Sequence, residues 1–262
     1  MIAFSKPTRG AEQQRLLFDR YPEFGFAGLQ LKGGQYGDYL DDPAAGADRF
    51  RSDWGVEPGH ISSLITMNPL DEAGRERLHA LLVFAGAVGS QRVVLCHDVP
   101  KDGLDDSDLI RFAGELSDHA EEAAEQGVVL SLHHHTGEPV MHRRDFEVFF
   151  GAVRENTLRL TVDTGHLLMS GVNDIPGLLA DFASVIDNVH LKDYADGEFR
   201  LLGQGSVDLI SVLDAIAKLD PGITLCVDEE SRAEIVEGLE VSRDFLAQHQ
   251  TSIAFRGDTD AT

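Results

Sequence analysis

Cysteine is nearly absent from the chain. Cys96 and Cys226 are the 2 in 262 residues, far apart and each inside an apolar run. A disulfide framework needs more cysteines and an oxidising compartment, so both are expected as buried free thiols. No stretch approaches the roughly 18 apolar residues that a membrane-spanning helix needs. The N-terminal MIAFSKPTRG shows neither the apolar core nor the cleavage site of a secretory leader. The cytoplasm is the expected location. Lysine is also scarce, 5 against 17 arginines, and these 22 cations face 45 Asp and Glu, a formal net charge of −23. That balance excludes broad nucleic-acid binding, which takes clustered Lys and Arg to neutralise phosphates. The skew reads as coding bias ahead of adaptation to a salt-rich cytosol.

What is present is a regular alternation. Short β-rich runs occur at 2–6, 26–32, 60–66, 92–98, 127–135, 158–166, 185–193 and 223–230. Between them, apolar residues return every three or four positions, as at 71–88, 107–125, 206–219 and 232–248. Strand–helix alternation over the whole length implies parallel strands joined by crossover helices. Eight such units in 262 residues predict a single (β/α)8 TIM barrel of the α/β class, since barrels of this kind take about 250 residues. An open doubly wound sheet would more often show a Gly-rich first turn, which is missing. With no Pro- or Ser-rich linker, residues 1–250 are expected to form one domain and 251–262 a flexible polar tail. The Gly/Asp-rich segment 33–59 is expected to hold at most a short helix.

Barrel enzymes place their chemistry at the C-terminal ends of the strands, and side chains alternate along a strand. In the fifth run Leu130 and Leu132 share one parity, Ser131 and His133 the other. In the sixth, Leu160 and Val162 oppose Thr161 and Asp163; in the seventh, Val189 and Leu191 oppose Asn188, His190 and Lys192. In the eighth, Leu225 and Val227 oppose Cys226, Asp228 and Glu230. With the aliphatic face under the helices, His133, Asp163, His190 and Asp228 point inward at one rim. A lone strand-end histidine is usually structural, but four such residues from consecutive strands make a mixed N/O set for a divalent cation. Mn2+ leads, with Co2+, Zn2+ and Fe2+ close and Mg2+ behind, because Mg2+ prefers oxygen alone. The ion would polarise a carbonyl or hydroxyl. Several carboxylates at one rim of so acidic a protein would also repel one another without a cation among them.

Other groups follow by position. His166, three residues past Asp163, is a candidate proton carrier. Lys192 is placed to bind a substrate hydroxyl, to stabilise an enolate oxygen, or to pair with Asp193 or a rim carboxylate. Glu230 is a candidate base if Asp228 is a ligand, and the two can exchange roles. His97, at the end of the fourth strand, is a candidate substrate contact, whereas His134 points outward and is expected to be structural. The 203–205 GQG allows a tight loop before a helix starting at Ser206 but is weak as a phosphate signal.

The segments LRLTVDTGHLLMSGVN, VIDNVHLKD, LLGQGSVDL and CVDEES together resemble the xylose-isomerase-like barrel superfamily over about residues 127–245. The resemblance implies a metal held by Glu, Asp, His and Glu on strands five to eight. Asp163 and His190 match that pattern directly. Asp228 stands where the last Glu would be, with Glu230 two residues on, and His133 replaces the strand-five Glu. His135 matches a final histidine of that strand and is expected to touch substrate. The HHHTG stretch resembles the inosose dehydratase branch more than the epimerases. By this resemblance the chain is expected to be a metal-dependent isomerase or epimerase of a small ketose or keto sugar. A dehydratase of a keto-inositol or 3-keto sugar is the alternative, and a non-catalytic sugar-binding barrel is third. A ligating His133 cannot also be a carboxylate base, so a one-base scheme suits this chain. The −23 charge disfavours the family's endonuclease branch, leaving neutral keto sugars or keto-cyclitols as expected partners. A homodimer or homotetramer is ordinary for such barrels.

Overall fold

The computed structural model describes residues 1–57, 59–99 and 104–249. Eight parallel strands close into a barrel: β1 (Ile2–Ser5), β2 (Gly28–Leu31), β3 (Ile61–Met67), β4 (Arg92–Cys96), β5 (Val129–His133), β6 (Arg159–Asp163), β7 (Ile186–Leu191) and, after the hairpin β8 (Asp193–Ala195) and β9 (Glu198–Arg200), β10 (Thr224–Asp228). Each strand pairs with its chain neighbour in the barrel and β1 pairs with β10, so no edge is left open. The helices are α1 (Gly10–Arg20), α2 (Gly33–Tyr36), α3 (Pro43–Trp54), α4 (Glu72–Val88), α5 (Asp106–Glu125), α6 (Arg143–Ala152), α7 (Thr164–Met169), α8 (Ile175–Asp181), α9 (Leu209–Ile216) and α10 (Ile235–Gln248). The expected (β/α)8 TIM barrel is the observed fold. The expected tail, 251–262, lies outside the described residues.

The alternation that defines the rim also builds the core. Leu130, Leu132, Leu160, Val162, Val189 and Val227 turn outward and are buried beneath the helices. Ser131 and Thr161 turn inward, where their hydroxyls meet at 2.7 Å. The pairing of β6 with β7 slips between Leu160 and Thr161. There Asp187 also reaches the interior, accepting from Ser131 Oγ at 2.7 Å and from Arg92 Nε at 2.9 Å. Cys96 and Cys226 are free and buried.

Two loop expectations are corrected. The 33–59 segment holds α3, a helix of 12 residues, where at most a short helix was expected. Asp42 caps it by accepting the Ala45 N–H, Pro43 opens it, and Gly55 closes it at φ 67. Its buried Phe50 packs edge-on against Tyr39 and Phe84. The helix expected from Ser206 starts at Leu209, where Asp208 accepts the Ser211 N–H. The GQG backbone before it is committed to an internal anion: Gly203, Gly205 and Val207 donate N–H groups to the Asp193 carboxylate at 3.0, 2.8 and 3.1 Å. Gly203 takes φ 80, and a Cβ on Gly205 would fall 2.2 Å from Asp193 Oδ1. Both glycines are needed for the loop to close on that carboxylate.

Candidate functional site

At the C-terminal rim, β5, β6, β7 and β10 bring His133, Asp163, His190 and Asp228 together, each 0–1% exposed. Asp163 ends β6 and caps α7, its Oδ1 accepting the His166 N–H at 2.9 Å. That bond aims Oδ2 inward, 3.3 Å from His133 Nε2 and 3.5 Å from His190 Nδ1. Asp228 Oδ2 lies 3.7 Å from His190 Nδ1. Ligands about 2.0–2.2 Å from a tetrahedral ion stand roughly 3.3–3.6 Å apart. Two overlapping three-donor groups result, Asp163 with His190 and Asp228, and Asp163 with His133 and His166, the donors of each within 4.8 Å of one another. His190 Nδ1 is buried without a hydrogen-bond partner beside two carboxylates. An unprotonated nitrogen there faces oxygen lone pairs, an arrangement that a cation relieves. His166 is a further donor, since its ring nitrogen, His133 and Asp163 lie within 4.8 Å of one another.

Two ammonium groups stand against the same carboxylates. Lys192 Nζ is 2.7 Å from Asp228 Oδ2, 2.9 Å from Glu230 Oε2 and 3.4 Å from Asp163 Oδ2. Lys32 Nζ is 2.6 Å from Asp228 Oδ1 and 2.7 Å from Glu230 Oε1. The repulsion expected among rim carboxylates is thus offset in part by lysines. Lys32 escaped the sequence reading, although β2 carries the same signal: Leu29 and Leu31 oppose Gln30 and Lys32.

Burial acts to raise the Asp163 and Asp228 carboxyls, but Lys192 and the other cations beside them hold both well below the usual range. Glu230 is likewise lowered, burial and Asp228 being outweighed by Lys192 and Lys32. The same carboxylates raise Lys192 well above an ordinary lysine, against the desolvation that alone would lower it. Burial pushes His133 down to about 4 and His166 to about 3, so both are neutral imidazoles at pH 7. His133 Nδ1 lies 3.2 Å from Cys96 Sγ, which leaves Nε2 to face Asp163.

A cavity of about 200 Å3 opens over the cluster. Its lining includes the charged Lys32, Lys192, Asp228 and Glu230 and the imidazoles of His133, His135 and His166. Ile65, Thr66, Met67 and Cys96 complete the wall. Phe199, on β9, lies 4.6 Å over Lys192 Nζ and edge-on to His166. The β8–β9 hairpin was not foreseen. His97 was expected at the cavity but is not on its wall. The backbone reverses at Asp98 (φ 49), and the Val99 N–H donates to His97 Nδ1 at 3.2 Å. Its ring is fully buried against Phe112, with Nε2 3.1 Å from Glu138 Oε2. His134 turns out of the barrel and accepts the Asp163 N–H at 2.9 Å.

Comparison with known proteins gives a consistent picture. Residues 18–249 match the family described as the xylose isomerase-like TIM barrel. An inosose dehydratase of Clostridium botulinum (strain Alaska E43 / Type E3) is 26% identical over 212 residues, covering 69% of this chain and 70% of that protein. Among solved structures, the IolI protein with a bound zinc atom superposes with TM-score 0.75 at 17% identity, covering 97% of this chain and 99% of that one. A D-psicose 3-epimerase from Clostridium cellulolyticum H10 gives 0.72 at 12%, covering 96% and 99%. At these identities the two structures speak for the fold alone.

Proposed function

Given that the chain belongs to the xylose isomerase-like TIM barrel family, we propose that it is a divalent-metal-dependent hydro-lyase acting on a cyclic keto polyol of the keto-inositol or 3-keto sugar class. One observation carries the choice of dehydration over epimerisation. Among the described residues, the cavity is lined by two carboxylates, Asp228 and Glu230, and by three imidazoles, His133, His135 and His166, so with Asp228 taken as a ligand Glu230 is the carboxylate left to act as a base. Moving a proton between two faces of a sugar with paired carboxylates needs a second acid opposite, and His133 stands where it would be. The name of the C. botulinum relative supports the same reading.

His133, Asp163, His190 and Asp228 would hold the ion, with His166 at hand. The ion would act as a Lewis acid on the substrate carbonyl. Glu230, kept ionised by Lys32 and Lys192, takes the proton from the carbon next to that carbonyl. The C–H electron pair becomes the enolate, and the Lys192 ammonium lies beside the developing negative charge. The β-hydroxyl then leaves as the enolate electrons form the C=C bond. Glu230 returns its proton to it, so the products are water and an enone. His135 and His166 bind substrate hydroxyls.

Isomerisation or epimerisation, the reaction that the family resemblance of the sequence favours, shares the first half of this path. Both require exchange of the α-hydrogen. Incubation of metal-loaded protein with 2-keto-inositol in deuterated water should incorporate deuterium or eliminate water. Glu230→Gln should lower the rate by about 10²–10⁴-fold, the usual contribution of a positioned base. Wild-type activity in that variant would remove Glu230 from the mechanism.

A further inference from the structure

The barrel interior beneath the ligand cluster contains a residue with no role so far. Gln30, on β2, is fully buried and crosses the barrel to His190 on β7, its Oε1 2.8 Å from the imidazole Nε2. Two serines on the flanking strands clamp it. Gln30 Nε2 donates to Ser5 Oγ at 3.2 Å, and Ser63 Oγ donates to Gln30 Oε1 at 2.9 Å.

The clamp bears on which nitrogen of His190 carries the proton. A proton on Nδ1 would meet the carboxylate oxygens of Asp163 and Asp228 only at 3.5 and 3.7 Å, longer than a good hydrogen bond. A proton on Nε2 gains a bond of 2.8 Å to Gln30. We infer that Gln30 is a positioning residue that fixes His190 as the Nε2–H tautomer and so turns the Nδ1 lone pair into the ligand cluster. An imidazole that ligates an ion through one nitrogen is commonly oriented by an acceptor on the other. In this chain the acceptor is a neutral carboxamide. It fixes the ring without adding another carboxylate to a rim that already carries Asp163, Asp228 and Glu230.

The inference rests on the metal-dependent reading of the site, and its test separates the two. Gln30→Met keeps the length of the side chain and removes the acceptor, while Gln30→Glu keeps an acceptor and makes it stronger. Zn2+ affinity is measured by chelator competition in the wild type and both variants. The tautomer of His190 is read from imidazole 15N–1H correlation spectra of the metal-free protein, assigned with His190→Gln, and thermal unfolding is the control for folding. The expected spectrum has the His190 proton on Nε2. Gln30→Met should weaken Zn2+ binding by about 10–100-fold, the range found for partners of ligating histidines. Gln30→Glu should bind at least as tightly as the wild type. A wild-type proton on Nδ1 overturns the inference, as does a folded Gln30→Met variant with affinity within twofold of wild type. Failure of the wild type to bind any Zn2+ overturns the metal-dependent reading instead, and the tautomer spectrum still decides what Gln30 does.

Discussion

Glu138 shows how a single buried group sets pH behaviour. Desolvation raises its carboxyl to about 7, and its Oε2 faces the neutral His97. A carboxyl whose folded pKa lies above its unfolded value stabilises the fold fully below about 4.5, and the contribution is lost as pH rises through about 7. Glu138→Gln should therefore abolish this part of the pH slope and make the protein relatively more stable at pH 8 than at pH 5. Thermal unfolding at the two pH values measures this directly, and an unchanged slope would contradict it. Lys32 makes a second prediction. It holds Glu230 ionised, so Lys32→Met should raise the carboxyl pKa and move the acid limb of kcat/KM to higher pH. Removing a proposed ligand should act differently: Asp163→Asn should cost at least the about 10–100-fold in metal affinity known for outer partners alone, read by chelator competition. His133, Asp163, His190 and Asp228 were legible as one group because the period-2 rule needs only the strand's own residues. Gln30 on β2 and Lys32 just past its end obey the same rule, opposite in parity to Leu29 and Leu31. His97 was expected from its place at the end of the fourth strand, but β4 ends at Cys96 and the His97 ring packs against Phe112 and Glu138 instead.

Elements differ in how much of their making is local. The eight barrel strands and the long helices α4, α5 and α10 announce themselves by periodicity and caps. Helix α3 carried equally local signals in Asp42, Pro43 and Gly55, obscured by the Gly/Asp-rich composition around it. Asp42→Ala should destabilise the protein by about 1 kcal/mol, the usual worth of an N-cap, as measured by denaturant unfolding. The β8–β9 hairpin was not legible, because what organises its loop is tertiary. Asp193 gathers backbone N–H groups from Gly203, Gly205 and Val207, contacts 10 to 14 residues away in the chain. The hairpin brings Phe199 over Lys192. Asp193→Ala should leave those N–H groups unpaired, loosen the hairpin and raise KM more than it lowers kcat.

At the scale of the whole molecule, closure of eight parallel strands is what gathers groups from residues 32 to 230 around one cavity. The net charge of −23 takes on a local meaning there. Asp163, Asp228 and Glu230 meet two of the chain's five lysines, Lys32 and Lys192, so scarce ammonium groups stand where anions crowd. The central claim is that this rim dehydrates a cyclic keto polyol. The most direct test mixes metal-loaded protein with 2-keto-inositol and follows ultraviolet absorbance, since the unsaturated carbonyl product absorbs and an isomerised or epimerised sugar does not. A rise in absorbance that is lost with Glu230→Gln and on metal removal is the predicted result. Turnover or α-hydrogen exchange with no rise in absorbance would contradict dehydration and assign the site to isomerisation.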